Sequence, residues 1–217
     1  LIKKLKLFCR NLNQMIEFYT GVLNLPISRN DAQSFCLTVG SSQLDYEYQR
    51  NHNSPYHFAF NIPENQIEDA MNWLKNRVEL MDDNGDLIIF FEDWNAHSIY
   101  FKDPDGNIVE LIARHNLNNS STHEFSGKSL LNVSEIGLPV PDVLSAATFF
   151  GEKYNLSPWR GQSETFTAVG DENGLIILVK QGRVWFMSDV KAEPQYISVL
   201  LKGHGEFEIH KAVNYRE

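Results

Sequence analysis

The feature that most restricts the fold of this chain is a unit that occurs three times. Leu5-Lys6-Leu7-Phe8-Cys9, Phe58-Ala59-Phe60-Asn61-Ile62 and Ile136-Gly137-Leu138-Pro139-Val140 each read as a short half-buried strand. Each is followed by a polar break and then by apolar residues at helical spacing: Met15 to Tyr19, Ala70 to Leu74, Ala146 to Phe150. The breaks carry helix-start chemistry, namely Asn11 or Asn13, Pro63-Glu64 and Pro141-Asp142. More strands are predicted after each helix. They lie around 34–39 and 43–48, then around 86–92, 98–102 and 107–113, then around 164–169 and 174–179. Gly40-Ser41-Ser42 splits the first set, and a Gly170 to Gly174 turn splits the last. The unit is therefore strand, helix, strand, strand, strand: an α+β chain of repeated βαβββ modules. Ile197-Ser198-Val199-Leu200 starts a partial fourth unit.

Residues 116–131, with Asn118-Asn119-Ser120-Ser121-Thr122 and Gly127, have linker composition. The expected organisation is a paired-module domain over 1–115, a linker over 116–131, and a third module with a partial fourth over 132–217.

Composition narrows the function classes. Lys and Arg number 19 against 28 Asp and Glu, a net charge of -9, with no basic block. That balance disfavours nucleic acid and anionic membranes as partners. No run of ~18 apolar residues suggests a membrane helix. Cys9 and Cys36 are too few for a disulfide framework and are expected to be reduced thiols, which fits a cytoplasmic protein. No nucleophile elbow, phosphate-binding loop, dinucleotide fingerprint or H-E-x-x-H is found, so those chemistries have no support.

Three motifs together resemble the vicinal oxygen chelate superfamily, which includes glyoxalase I, extradiol dioxygenases and the bleomycin and fosfomycin resistance proteins. They are Met15-Ile16-Glu17-Phe18-Tyr19-Thr20-Gly21-Val22-Leu23-Asn24-Leu25-Pro26, His57-Phe58-Ala59-Phe60, and Asp103-Pro104-Asp105-Gly106-Asn107-Ile108-Val109-Glu110-Leu111. The last is also a turn in its own right, with Pro104 and Gly106 fitting a turn's dihedral demands. The resemblance implies paired modules curled into an open half-barrel sheet, with helices outside and a small-molecule ligand or metal inside.

Strand alternation sorts the residues of such a cup. The helix-facing row is Leu5, Leu7, Cys9, Leu44, Tyr46, Phe58, Phe60, Ile62, Val109 and Leu111. The opposite row holds Lys4, Lys6 and Phe8, then Gln43, Asp45 and Glu47, then His57, Ala59 and Asn61, then Ile108, Glu110 and Ile112. Carried over by motif, the family's metal positions fall on Lys4, Asp45, His57 and Glu110. His57, Glu110 and Asp45 are ligand types that suit Fe(II), Mn(II), Zn(II) or Ni(II). Without a metal, His57 and Glu110 read as a hydrogen-bonded polar pair lining a cleft. Lys4 departs from the pattern, because an ammonium has no lone pair to offer. It reads as a general acid or as a charge that replaces the metal through ion pairs with Asp45 and Glu110. Glu135 holds the matching position in the third module and is expected to pair with a Lys or Arg. Phe90, Phe91, Trp159, Trp185 and Phe186 are expected in the core or an interface.

Two functions follow from the resemblance: a metal-assisted glyoxalase- or dioxygenase-like enzyme for a small oxygenated substrate, or a metal-free protein that sequesters a small molecule. The uncompleted fourth unit leaves an open sheet edge, to be covered by residues 184–217 or by a second copy in a homodimer.

Overall fold

A computed structural model describes residues 1–209; the end of the partial fourth unit, 210–217, lies outside the described residues. The first module is β1 (Ile2–Cys9), α1 (Leu12–Glu17), β2 (Ile27–Asn30), β3 (Ser34–Val39) and β4 (Ser42–Tyr48). The second is β5 (His57–Ile62), α2 (Ile67–Lys75), β6 (Ile89–Phe91), β7 (Ala96–Lys102) and β8 (Ile108–Arg114). The third is β9 (Asn132–Val140), α3 (Val143–Tyr154), β10 (Pro158–Gln162), β11 (Phe166–Asp171) and β12 (Gly174–Lys180). A hairpin of β13 (Ile197–Leu201) and β14 (Gly205–Ile209) stands where a fourth module begins. No helix among the described residues is long and apolar enough to cross a membrane.

Within each full module the first strand lies parallel to the last: β1 to β4, β5 to β8, and β9 to β12. Parallel neighbours need a crossover, and the module's helix supplies it. The modules then join in a way that differs from a 1–115 pair. The second and third share one eight-stranded, curled half-barrel sheet, ordered β10-β11-β12-β9-β5-β8-β7-β6. Its seam is the antiparallel pair β5–β9, with Phe58 opposite Ile136. The first module instead takes β13 and β14, giving a six-stranded sheet ordered β14-β13-β1-β4-β3-β2. The β13–β14 hairpin thus covers the edge of β1 that the sequence left open.

All ten residues assigned to the helix-facing row lie in one buried core, together with Met15, Ala70, Leu74, Ala146 and Phe150 from the helices. Each large apolar side chain buried there contributes roughly 1.5–3 kcal/mol. The helices therefore cover one face of the eight-stranded sheet and leave the other free for a site. The linker is packed down: Phe125 is buried against Trp73, and Leu131 donates its N–H to the Asn61 carbonyl. Gly40 is required at this junction. Its φ is +52° and a Cβ there would sit 2.0 Å from the Leu131 carbonyl oxygen.

Candidate metal centre

The site is written across three adjacent strands. Ala59 on β5 lies opposite Glu110 of β8 on one side and opposite Glu135 of β9 on the other. His57 precedes Ala59 by one pleat on the same face. A small residue between two glutamates lets both side chains lean over it towards the imidazole. His57 Nε2 is 3.6 Å from Glu110 Oε2, and ligand atoms of His57, Glu110 and Glu135 lie within 4.8 Å of one another. Both glutamates are 3% exposed.

A second layer fixes these groups. Ser98 Oγ donates to Glu110 Oε1 at 2.6 Å. Arg114 is fully buried and donates from Nη2 to Glu135 Oε1 and from Nε to Asn61 Oδ1. Its guanidinium lies 5.4 Å from the Trp94 ring and 5.6 Å from the Trp159 ring, an arrangement in which both indoles stabilise the cation. Arg114 is thus the partner expected for Glu135, although the sequence alone did not single it out.

The tautomer of His57 follows from its neighbours. Nδ1 is 3.2 Å from the Ile108 carbonyl oxygen, which can only accept, so Nδ1 carries the hydrogen. In the neutral ring Nε2 then presents a lone pair towards Glu110. Burial lowers the pKa of His57, which favours that neutral form. Burial also raises both acids. Glu110 is pushed up against the opposing hydrogen bond from Ser98. Glu135 is pushed up to about 7, first by burial and further by Glu110, against the pull of Arg114 and His57. An imidazole lone pair and two dehydrated carboxyls facing one point form a donor set short of positive charge, and a cation or a proton relieves it.

Above this floor is a cavity of about 240 Å³. Phe91, Trp94, Tyr100 and Phe166 form walls, and a segment after β12 supplies Arg183, Trp185 and Phe186 as a roof. Phe91, Trp185 and Phe186, expected in core or interface, therefore line the cavity. Trp185 sits 5.3 Å from the His57 ring, and Gly137 makes room for it: a Cβ at 137 would meet Trp185 Cη2 at 2.5 Å.

Lys4 and Asp45 occupy the matching place in the six-stranded sheet. Lys6 lies opposite Asp45 and Ser198, as Ala59 lies opposite Glu110 and Glu135. Lys4 Nζ is 3.0 Å from Asp45 Oδ2, and Arg29 Nη2 is 2.5 Å from Asp45 Oδ1. The structure thus brings His57 and Glu110 together with Glu135 and sets Lys4 and Asp45 in a separate, pseudo-equivalent position. Glu135 carried a signal: it precedes Ile136 as His57 precedes Phe58. Which modules share a sheet carried none. His97, on β7, contacts His115 at 2.7 Å rather than the cavity.

Fold and site define a class: βαβββ modules joined into a half-barrel whose concave face holds an imidazole and carboxylates. No protein-family model matches the chain. Metallothiol transferase FosB of Staphylococcus haemolyticus is 32% identical over 108 residues, spanning 46% of this chain and 74% of that protein. FosB of Staphylococcus epidermidis is 30% identical over 108 residues, 46% of this chain and 72% of that protein. A solved structure from Bacillus subtilis, assigned as a dioxygenase, aligns with a TM-score of 0.62 at 15% identity, over 99% of this chain and 86% of its own. A mutant glyoxalase I from Zea mays aligns with a TM-score of 0.58 at 16% identity, over 92% and 74%. The chain belongs to the vicinal oxygen chelate superfamily.

Proposed function

We propose that this protein is a metal-assisted enzyme in which His57 Nε2, Glu110 and Glu135 hold one divalent cation. The observation that carries the reading is the committed tautomer of His57, whose lone pair faces two buried carboxyls. The donor set, one nitrogen and two oxygens, suits Mn(II), Zn(II), Ni(II) or Fe(II). Iron oxygenases of the facial-triad type use two His and one carboxylate. One His with two carboxylates supports glyoxalase-like chemistry over oxygen activation. The cation would act as a Lewis acid for adjacent oxygens of a small substrate. The chain's own residues do the rest. Ser98 and Arg114 orient the two glutamates, and the aromatic walls exclude water. In the other sheet, Lys4 with Asp45 supplies the positive charge internally, so that position needs no cation.

The test is metal uptake. Wild-type protein exposed to Mn(II), Zn(II), Ni(II) or Fe(II) and then desalted is expected to retain one equivalent by elemental analysis. His57→Ala and Glu110→Ala should bind at least about tenfold more weakly, since losing even a residue that only orients a ligand typically costs about 10–100-fold. A wild type that retains none of the four sinks this reading. The alternative is metal-free sequestration, supported by the ion pair that already satisfies Glu135.

A further inference from the structure

The floor of the cavity accounts for three of its residues, but not for its walls or its mouth. The volume of about 240 Å³ exceeds the roughly 150 Å³ at which apolar protein cavities take up benzene. It is below the range of about 300–1,000 Å³ for drug-sized ligands. The cavity has room for one aromatic ring with its substituents. The walls favour a flat ring. Phe186 of the roof makes edge-on contacts with Phe91 and Tyr100, each at 5.7 Å between centroids, so the roof is seated on aromatic faces.

The mouth carries a charge. Arg183 is the one Lys or Arg among the residues lining the cavity. Its guanidinium lies 5.1 Å from the Phe166 ring centroid and makes no ion pair among the described residues. Arg114, beneath the floor, is paired with Glu135, and in the other sheet Lys4 pairs with Asp45 and Arg29 with both Asp45 and Asp31. The Trp185 indole N–H is buried and also lacks an acceptor among the described residues. Two donors of the roof thus await oxygen atoms, while neighbouring Val184 and Phe186 leave 47% and 45% of their surface exposed. A chain with a net charge of -9 places a lone guanidinium at the entrance of its aromatic cavity. Such a group selects for anions against the field of the whole molecule.

We propose that the cavity binds a single-ring aromatic anion, with its ring among Phe91, Tyr100, Phe166 and Phe186 and its carboxylate or equivalent oxyanion on Arg183. This rests on the proposed metal site only in taking the floor to be the reacting end. The anion recognition stands without a cation bound.

The experiment uses chelator-treated protein and its tryptophan fluorescence, since Trp94 and Trp185 line the cavity. Probes are benzoate, benzyl alcohol, benzylamine and acetate. Benzoate is expected to quench saturably with an affinity about tenfold or more above benzyl alcohol, with benzylamine and acetate weaker still. Arg183→Gln should bring benzoate within about twofold of benzyl alcohol while leaving benzyl alcohol unchanged, and Arg183→Lys should keep most of the preference. Equal binding of benzoate and benzyl alcohol overturns the proposal, as does a benzoate preference that survives Arg183→Gln, or no binding of any ring. Because no metal is present, these outcomes are independent of metal uptake. A failed metal test leaves the Arg183 preference measurable, and a failed benzoate test leaves metal retention intact.

Discussion

Replacing Arg114 by Met removes a buried charge while keeping a linear, unbranched side chain against Trp94 and Trp159. Breaking a buried ion pair ordinarily costs about 3–5 kcal/mol, because one charge is left without its partner. Here the remaining partner can escape. Glu135 titrates at about 7 in the folded protein, raised by burial and lowered in part by Arg114. Without Arg114 its folded pKa rises further. At about pH 6 the carboxyl is largely protonated in wild type and variant alike. The cost is then the lost hydrogen bond to Asn61 and some packing, about 1–2 kcal/mol. Above pH 7 the folded variant keeps a proton that the unfolded chain has released. A raised folded pKa means stability that is present at low pH and lost as pH rises through the folded value. The variant's deficit should therefore grow by up to about 1.4 kcal/mol per pH unit above 7, reaching about 3–4 kcal/mol near pH 8.5. Urea denaturation of chelator-treated wild type and Arg114→Met at the two pH values reads this directly. A deficit that is the same at both, or one that shrinks as pH rises, would refute the assignment of Arg114 as the counter-charge of Glu135.

Metal affinity should climb between about pH 6 and pH 8, because Glu135 must ionise to serve as a ligand; Glu135 then releases about half a proton per ion bound near pH 7 and close to one near pH 6, and calorimetry in two buffers of different ionisation enthalpy counts that release. Gly137→Ala should displace Trp185, costing roughly 1–3 kcal/mol by overpacking and shifting its fluorescence, whereas Gly161→Ala, with open space around it, should do neither. Lys4→Met should leave metal retention within about twofold and cost no more than about 1 kcal/mol, since Lys4 is partly exposed and Arg29 also holds Asp45; loss of metal in this variant would tie the two sheets' sites together.

The modules and their faces were legible because they depend on local rules. Alternation of period two placed Phe58 and Phe60 inward and His57 and Glu110 outward, and the structure keeps every one of those assignments. The Pro104–Gly106 turn fixed the register of β8, and so the face on which Glu110 stands. What the sequence could not carry was which modules share a sheet. Any βαβββ unit leaves the outer edge of its first strand unpaired, and the hydrogen-bonding groups along that edge are the same in every unit. The choice between the edges of β1 and β9 for β5 is made by long-range packing: the linker clamped against Gly40 and Asn61, and the β13–β14 hairpin occupying β1. That choice brings Glu135, not Asp45, to His57 and leaves Lys4 to neutralise Asp45 instead. Local alternation set the residue types that face each cup. Strand pairing settled which of them meet, because ion pairing and metal ligation act over a few ångströms and depend on strand neighbours far apart in the chain.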